Sequence, residues 1–346
     1  MEDGRRPTIR DIAREAGVSV ATVSRVTHDD ARVVAATRRR VQDAIDRLGY
    51  SPSALGRGLA TRRTNTLGIV LPGLGGPYFA ELVQGAESVA VERGTAINVL
   101  GTHLRPDADG AVRDLAARTD GLIVAGGTVG EDLLVRLSAG TRVVLVAGRS
   151  DVVPTVRTDG RAAAIALTKH LVAPRERGGH GYRRLRFLGE PSGSPDTHLR
   201  YSGFRQALGD AGLAECGEPL RYGLEVGSGA LAARRLHEQH RDGDRLPEAL
   251  VCANDELAFG MLITLPGLGY RLPDDVAITG FDDQDLAALA SPTLTTVHQP
   301  VHDLGARAAA LALDGTGGRG PVGPPGTDVV LPTELVVRES CGCSAA

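Results

Sequence analysis

The sequence predicts an α/β protein in which a small, all-helical N-terminal domain precedes a larger domain of two parallel-sheet lobes. Three features support this fold class. The chain has 346 residues, which is too long for one ordinary hydrophobic core and leaves room for two. Its first 50 residues carry helical periodicity alone. From residue 66 onward, apolar runs alternate with amphipathic segments, which is the strand and helix order of parallel sheets.

Charge is segregated along the chain. Residues 1–63 contain 13 arginines and eight acidic residues, a balance of +5, so the remainder of a chain with formal charge −3 carries −8. A basic end attached to an acidic body indicates a polyanionic partner for the first 63 residues and a different ligand, or none, for the rest.

No apolar run approaches the roughly 20 residues of a membrane span, and the N-terminal MEDGRRPTIR lacks a signal-peptide core. We therefore expect a cytoplasmic protein without a membrane partner. In a reducing compartment, Cys216 and Cys252 are most simply free thiols. The Cys341-Gly-Cys343 tail has the chemistry to bind a metal or form a disulfide. No second Cys/His pair stands at zinc-finger spacing, so we expect a disordered or lightly packed terminus, with no metal and no cofactor.

Three amphipathic helices follow one another in the N-terminal domain. Thr8 and Asp11 form a short capping-box variant that opens the first helix, which Gly17 ends. Ser19 caps the second helix, VATVSRVT, and a third helix runs through residues 37–48. Two short helices across a tight glycine turn, braced by a third, predict a helix-turn-helix whose second helix fits a DNA major groove.

The exposed face of the second helix carries groups suited to reading bases. Arg25 has the forked donors that pair with guanine, while Val20 and Ala21 are small and apolar, as contact with a thymine methyl requires. The hydroxyl groups suited to phosphate contacts belong to Thr8, Ser19, Thr22, Ser24 and Thr37. The alternative is a plain three-helix bundle with a solvated arginine.

The segment SPSALGRGLATRR, residues 51–63, is a marginal helix. Ser-Pro is a good helix start, yet Gly56 and Gly58 each cost about 1 kcal/mol relative to alanine. Leu55 and Leu59 would form one small apolar stripe among arginines that include Arg57. A solvated linker is the simpler alternative.

The acidic body reads as two α/β lobes joined by late crossings. TLGIVLP, TAINVLG, DGLIVAGG and RVVLVAG predict the strands of one lobe, and RRLRFLG, EALVCAND and DVAITGFDD those of a second. Three later segments are expected to cross again between the two lobes: LTTVHQP, a helix over 301–313, and VVLPTELVVRE. We expect domains over 1–50, 51–63 and 64–346, with lobes of 64–158 plus 295–325 and of 159–294 plus 326–340.

Polar residues at the ends of predicted strands are expected to converge on one ligand cleft. Arg200, Asn254 and Asp282 supply donors and acceptors for vicinal hydroxyls, and Tyr78 and Phe79 supply an apolar face. The neighbouring Asp255 and Asp283 are expected to be helix N-caps.

A nucleotide site is not supported. Gly73 and Gly75 begin a dinucleotide fingerprint, but Tyr78 stands where its third glycine belongs, and no lysine-containing phosphate loop occurs. These loops are expected to form the ligand-facing rim. Residues 173–184 read as a solvated loop in which His180 has no evident metal partner, and His298 is expected to be structural.

Seven segments of the chain closely resemble the lactose-repressor (LacI/GalR) family of bacterial transcription regulators. They are TIRDIAREAGVSVATVSRV, TRRRVQDAIDRLGYSP, RTNTLGIVLP, CANDELAFGM, ITGFDDQDLA, LTTVHQP and PTELVVRESCG. The resemblance implies the two-lobed fold of periplasmic sugar-binding proteins. It also implies base reading by Val20, Ala21 and Arg25 and insertion of Leu59 into the minor groove. Arg200, Asn254 and Asp282 match effector-contacting positions, whereas Val34 replaces a capping serine. Two further candidates for DNA contact are Tyr50 and Arg57. Many relatives carry an aspartate after the fourth strand, where this chain reads AGR, and Arg149 of this segment is a candidate for effector contact.

We expect a regulator, most simply a repressor, that binds a pseudo-palindromic double-stranded operator as a homodimer and responds to a sugar or sugar derivative. The chain ends after the last strand without a leucine heptad, which favours a dimer over a tetramer. A cytoplasmic sugar-binding protein and a glycoside-acting enzyme are the alternatives. Adjacent aspartates in FDDQD point to opposite faces of a strand, which argues against paired catalytic carboxylates. The sequence leaves the direction of the response open.

Overall fold

A computed structural model describes residues 7–27, 30–50, 64–314 and 326–343. The chain divides into two compact units, Met1–Thr64 and Asn65–Ala346. None of the helices in the described ranges is long and apolar enough to cross a membrane.

The first unit is a three-helix domain around one small core. Its helices are α1 (Ile9–Ala16), α2 (Val20–Thr27) and α3 (Ala35–Leu48). Ile12, Val23 and Val41, one from each helix, are fully buried at its centre. Gly17 ends α1 with a φ of 62°, a left-handed conformation that glycine adopts without strain, and this turn lets α2 begin three residues later.

The first lobe of the second unit is a parallel sheet covered on both faces. Its elements along the chain are β1 (Thr66–Leu71), α4 (Pro77–Glu92), β2 (Ala96–Gly101), α5 (Ala108–Ala116), β3 (Gly121–Ala125), α6 (Glu131–Ser138), β4 (Arg142–Val146) and β5 (Thr155–Thr158). Successive residues of β1 alternate between two cores: Ile69 belongs to one and Val70 to the other. An unbroken apolar strand is stable here because both of its faces are buried.

The second lobe repeats the alternation. It contains α7 (Gly160–Val172), β6 (Leu185–Leu188), α8 (Pro195–Asp210), α9 (Val226–Arg241), β7 (Ala249–Cys252), α10 (Asp255–Gly267) and β8 (Ala277–Thr279). The three strands form a parallel sheet in the order β6-β7-β8, which packs with its helices around one apolar core.

The chain then crosses between the lobes. The last elements are β9 (Thr296–His298), α11 (Val301–Leu313), β10 (Asp328–Leu331) and β11 (Glu334–Val336). Strand β10 completes a six-stranded sheet in the order β10-β5-β4-β3-β1-β2, and all its pairs are parallel. Strands β9 and β11 form a separate antiparallel pair.

Two predicted lobe assignments are corrected in part. The sequence predicts residues 326–340 in the second lobe, yet β10 pairs with β5 of the first lobe, and Arg157 donates two hydrogen bonds of 2.9 and 2.6 Å to Asp328. The sequence predicts residues 295–325 in the first lobe, and α11 does pack into a first-lobe core, whereas Thr295, just before β9, bridges to Thr279 of β8. Strand β9 and its partner β11 therefore lie beside the second lobe.

Candidate functional site

Helix α2 is capped and oriented as predicted. The Ser19 hydroxyl accepts a hydrogen bond from the Thr22 backbone N–H at 3.1 Å, which confirms the cap. Val23 and Val26 are buried, whereas Val20, Ala21 and Arg25 are exposed on the opposite side. The helix therefore offers one surface of small apolar groups beside a guanidinium.

The structure also describes several of the other predicted DNA contacts. The half-buried hydroxyl-bearing residues are Thr8, Thr22, Ser24 and Thr37. The Asp11 carboxylate accepts hydrogen bonds from the Thr8 backbone N–H at 2.9 Å and from its hydroxyl at 2.6 Å, which confirms the capping box. Helix α3 begins after Val34 without a side-chain cap, as expected. Tyr50 packs against the core, and Arg57 and Leu59 lie outside the described residues.

A cleft of about 460 Å³ lies between the two lobes of the second unit. That volume suits a small organic ligand. Its rim includes Gly73, Gly75 and Gly76 after β1, and Gly126 and Gly127 after β3, so the glycine loops lie where the sequence predicted. Among the predicted effector contacts, the residues that line the cleft are Tyr78, Phe79, Arg200, Asn254 and Asp282.

Arg200 and Asp282 form a buried ion pair at the floor of the cleft. Their side chains are 3.5 Å apart at the closest N–O pair and are 8% and 6% exposed. Arg200 also donates to the Ala253 carbonyl at 2.5 Å and lies over the Phe281 ring at 4.0 Å. Burial raises the pKa of Asp282 to about 7, although Arg200 opposes this shift. Asp282 has a φ of 120°, so backbone strain is retained at this position.

Two polar atoms in the cleft have no partner within the described protein. They are the hydroxyl oxygen of Tyr78 and Nε of Arg200, and both are enclosed. Burial raises the pKa of Tyr78, and nearby Asp196 and Asp282 raise it further. A buried donor without an acceptor costs about 1–3 kcal/mol, and both atoms belong to side chains that line the cleft.

The cap of the helix after β7 lies one residue earlier than predicted. Asp255 was predicted to be an N-cap, but the residue that caps α10 is Asn254, whose side-chain oxygen accepts from the Leu257 N–H at 3.0 Å. The Asn254 amide also donates to the Leu224 carbonyl at 2.9 Å. Asp255 is fully buried one position further and accepts from the Thr296 hydroxyl at 2.6 Å.

Asp283 and Arg149 also depart from expectation. Asp283 caps no helix: its carboxylate binds Arg338 at 2.7 Å and faces His298 at 3.2 Å, which gives His298 the expected structural role. Arg149 is exposed and does not line the cleft. Ala147 has a φ of 53°, and after this turn Ala147 itself faces the cleft while Arg149 points to solvent.

The two lobes approach each other closely at the rim of the cleft. A side chain placed on Gly127 of the first lobe would lie 3.0 Å from Cδ of Pro195 in the second. One on Gly76 would lie 3.2 Å from the Glu256 carboxylate. The absence of side chains at these loop positions therefore permits the lobes to approach this closely.

Several residues that line or adjoin the cleft were not predicted from the sequence. Asp196 and Glu256 line the cleft, and burial raises the pKa of each carboxyl. Asp196 stands one helical turn before Arg200, a spacing that signals a shared helix face. Gln299 is buried and bridges the lobes, since it accepts from the Thr158 hydroxyl at 2.5 Å and donates to Asp282 at 2.8 Å.

The C-terminal tail is more ordered than predicted. Cys341 is fully buried, and its Sγ lies 3.6 Å from Nε2 of His170. Cys343 Sγ lies 3.4 Å from Nε2 of His180. The expectation of a lightly packed tail is wrong, and so is the expectation that His180 lacks partners. Residues 170 and 341 are far apart in sequence, so no local spacing reveals the cluster.

A helix-turn-helix unit joined to a two-lobed domain with a polar cleft defines a class of ligand-responsive DNA-binding regulators. Residues 8–53 match the model of bacterial regulatory proteins of the lacI family, and residues 178–341 match a periplasmic binding protein-like domain. Catabolite control protein A of Priestia megaterium is 32% identical over 316 residues, which cover 88% of this chain and 91% of that protein. The chain therefore belongs to the LacI family.

Solved structures agree with this assignment. The lac repressor dimer bound to operator and the anti-inducer ONPF is 25% identical with a TM-score of 0.82, over 97% of this chain and 99% of that one. The transcriptional regulator CelR in complex with cellobiose is 28% identical with a TM-score of 0.68, over 97% and 100%. These relatives are regulators, in agreement with the expectation that the chain is not an enzyme.

Proposed function

We propose that this chain is a cytoplasmic homodimeric repressor whose affinity for a pseudo-palindromic operator is set by a neutral carbohydrate bound in the cleft. The DNA contacts rest on α2. Arg25 would pair with guanine, and Val20 and Ala21 would contact a thymine methyl; exposure of all three side chains on one face of α2 supports these roles. Two such helices, one from each subunit, would read half-sites about one helical turn apart.

The observation that carries the ligand proposal is the set of polar groups around the Arg200–Asp282 pair. Tyr78 and Arg200, whose hydroxyl oxygen and Nε are buried without a partner among the described residues, line the same cleft as Asp282. Hydroxyl groups on adjacent carbons donate to a carboxylate and accept from a guanidinium at the same time. Phe79 meets Tyr78 edge to face at 5.3 Å between ring centres, and this pair supplies the apolar surface on which a sugar ring packs.

The charge of the cleft selects against anionic ligands. Among the described residues that line it, four are carboxylic acids, Asp196, Glu225, Glu256 and Asp282, whereas Arg200 is the one arginine. A phosphate group would meet repulsion from these acids, and Arg200 is already engaged by Asp282. A neutral mono- or disaccharide therefore fits better than a sugar phosphate.

The ligand contacts are linked to the lobe crossing. Thr158 at the end of β5, Gln299 after β9 and Asp282 after β8 form one hydrogen-bonded chain from the first lobe to the second. A ligand that binds Asp282 or Arg200 changes the hydrogen bonding at the Asp282 end of this series of hydrogen bonds. We infer that this is how occupancy of the cleft alters the angle between the lobes.

A thermal-shift and calorimetry screen tests the proposal. The full chain is titrated with neutral mono- and disaccharides, their phosphorylated forms and nucleobases. At 100 times its dissociation constant, a neutral sugar should stabilise the protein by about 2.7 kcal/mol, while its phosphate should not. Operator fragments selected from a random pool then show whether that sugar weakens or strengthens DNA binding.

Variants locate the site. Arg200→Met should abolish the sugar-induced shift while leaving operator binding without sugar near normal. Arg205→Met lies on the same helix, is exposed, and serves as the matched control. Binding of phosphorylated sugars or nucleobases in preference to neutral sugars would contradict the proposed ligand class. An unchanged sugar response in Arg200→Met would remove Arg200 from the site.

A further inference from the structure

Four side chains with metal-ligating atoms meet in the second lobe, and none of them lines the cleft. They are His170, His180, Cys341 and Cys343, and all four ligating atoms lie within 4.8 Å of one another. His170 is in the last turn of α7, His180 is in the loop of residues 173–184, and the cysteines flank a tight turn at the C-terminal tail. Three separate parts of the chain therefore converge on one point.

The spacing of these atoms fits one tetrahedral ion. With zinc bonds of about 2.05 Å to nitrogen and 2.3 Å to sulfur, a tetrahedron requires about 3.3 Å between nitrogens and about 3.6 Å between nitrogen and sulfur. The two Nε2 atoms are 3.2 Å apart. The three nitrogen–sulfur distances with hydrogen-bond geometry are 3.6, 3.8 and 3.4 Å.

The surrounding fold holds the cluster in place. The loop turns back on α7 through hydrogen bonds from the Gly181 N–H to the Ala173 carbonyl at 2.7 Å and from the Tyr182 N–H to the Leu171 carbonyl at 3.0 Å. The Tyr182 ring stacks on His180 at 5.1 Å between ring centres, and its hydroxyl donates to the Cys341 carbonyl at 3.0 Å.

Gly342 makes the cysteine pair possible. Its φ of 99° belongs to the left-handed region, and a side chain there would lie 3.0 Å from the Tyr182 hydroxyl. With glycine at this position the chain reverses tightly, so that Cys341 and Cys343 both face the histidines. The glycine-rich loop and the Cys-Gly-Cys tail, unexplained by the regulatory function, are thereby explained together.

We propose that His170, His180, Cys341 and Cys343 bind one Zn²⁺ ion in a closed structural site. Two thiolates and two imidazoles at tetrahedral spacing are the ligand set that zinc prefers, and four protein ligands leave no position for a substrate. Both histidines ligate through Nε2. The ion joins the tail to α7 and to the 173–184 loop.

The position of the ion gives it a structural role next to the cleft. Just before the cysteines, Arg338 binds Asp283 at 2.7 Å, and the Ser340 hydroxyl donates to the Ile278 carbonyl of β8 at 2.6 Å. These residues hold the strand end that carries Asp282. Loss of the ion should therefore loosen this edge of the second lobe and lower thermal stability, without a direct effect on α2.

The test uses the untagged full chain, purified under reducing conditions without chelators or metal-affinity resin. Elemental analysis should find one zinc per chain, and cobalt(II) added to metal-free protein should give thiolate charge-transfer and tetrahedral ligand-field bands. Cys343→Ser and His180→Gln should each lose both signals. Cys216→Ser and His198→Gln, matched changes in the same lobe outside the cluster, should keep them. Far-UV circular dichroism verifies that every variant is folded.

Three results would overturn the proposal. They are folded wild-type protein that neither carries zinc nor gives a tetrahedral cobalt spectrum, a Cys341–Cys343 disulfide in protein purified under nitrogen, and metal loss in the Cys216 control equal to that in the Cys343 variant. Wild-type protein treated with a strong chelator should show the same fall in melting temperature as Cys343→Ser. Added zinc should restore stability to the wild type alone.

Discussion

Replacement of Arg200 by methionine should destabilise the protein in a way that depends on pH. Arg200 holds the Asp282 carboxylate in a place where burial has already raised the pKa of that group to about 7. A carboxyl whose folded pKa exceeds its unfolded value stabilises the folded state at low pH, and this contribution is lost as pH rises toward the folded pKa. Removal of Arg200 raises the folded pKa further, so in the variant the loss continues above pH 7.

The magnitude follows from these contacts. Below pH 7, Asp282 keeps its proton with or without Arg200. The substitution then removes the charged hydrogen bond to the Ala253 carbonyl and the stack on Phe281, about 2–3 kcal/mol. Above pH 7 the wild-type carboxyl ionises while the variant must stay protonated, so each further pH unit costs the variant about 1.4 kcal/mol. We expect a loss of about 2–3 kcal/mol at pH 6 and of about 4 kcal/mol at pH 8.

Urea denaturation at pH 6, 7 and 8 measures these losses. The chain has no tryptophan, so unfolding is followed by far-UV circular dichroism. Arg205→Met should show a small loss that is equal at all three pH values, because its guanidinium is exposed and contacts the Tyr201 hydroxyl rather than an acid. The double variant Arg200→Met/Asp282→Asn should lose the pH dependence. An Arg200→Met loss that is the same at pH 6 and pH 8 would refute the proposed coupling.

Three further predictions follow from separate parts of the molecule. Arg25→Ala should cost about 1–3 kcal/mol per half-site and relax preference at one base pair, and titration of operator variants at fixed salt distinguishes this from the uniform loss that a phosphate contact would give. Gly127→Ala, with a φ of 80° and a 3.0 Å approach to Pro195, should lower the free energy of unfolding by about 1–2 kcal/mol, whereas Gly130→Ala, with open space around it, should not. Burial raises the pKa of Asp255 to about 6, so between pH 4 and 6 the wild type should lose about 2 kcal/mol of stability that Asp255→Asn does not lose; parallel pH profiles of the two proteins would contradict this.

The sequence predicted most of the local structure, because helix caps and strand periodicity are local properties. Ser19 at the start of α2 and helix α11 were placed correctly from their neighbours alone. The pairing of β10 was not, because its partner strand, β5, is distant in sequence. Asn254 and Asp255 are both good capping residues, so no local rule predicts which of them caps the helix. Asp255 is instead buried, where its carboxylate accepts a hydrogen bond from Thr296.

The cleft shows why tertiary contacts add chemistry that composition does not indicate. Arg200 was identified from its position after a loop, but its pairing with Asp282 is set by two crossovers that bring α8 and the end of β8 together. Gln299 comes from a later crossing between the lobes, after β9, and donates to the same carboxylate. Asp282 is therefore bound by Arg200 of its own lobe and, through Gln299, is linked to Thr158 of the other lobe. A ligand hydroxyl that takes a hydrogen bond from Arg200 weakens the first contact and shifts the balance toward the second. Under the proposed function, the response to ligand is a competition for this one buried carboxylate. Gln299→Leu should then reduce the effect of sugar on operator binding while leaving sugar affinity within a few-fold of the wild type. A sugar response in Gln299→Leu equal to that of the wild type would show that the lobes are coupled by other contacts.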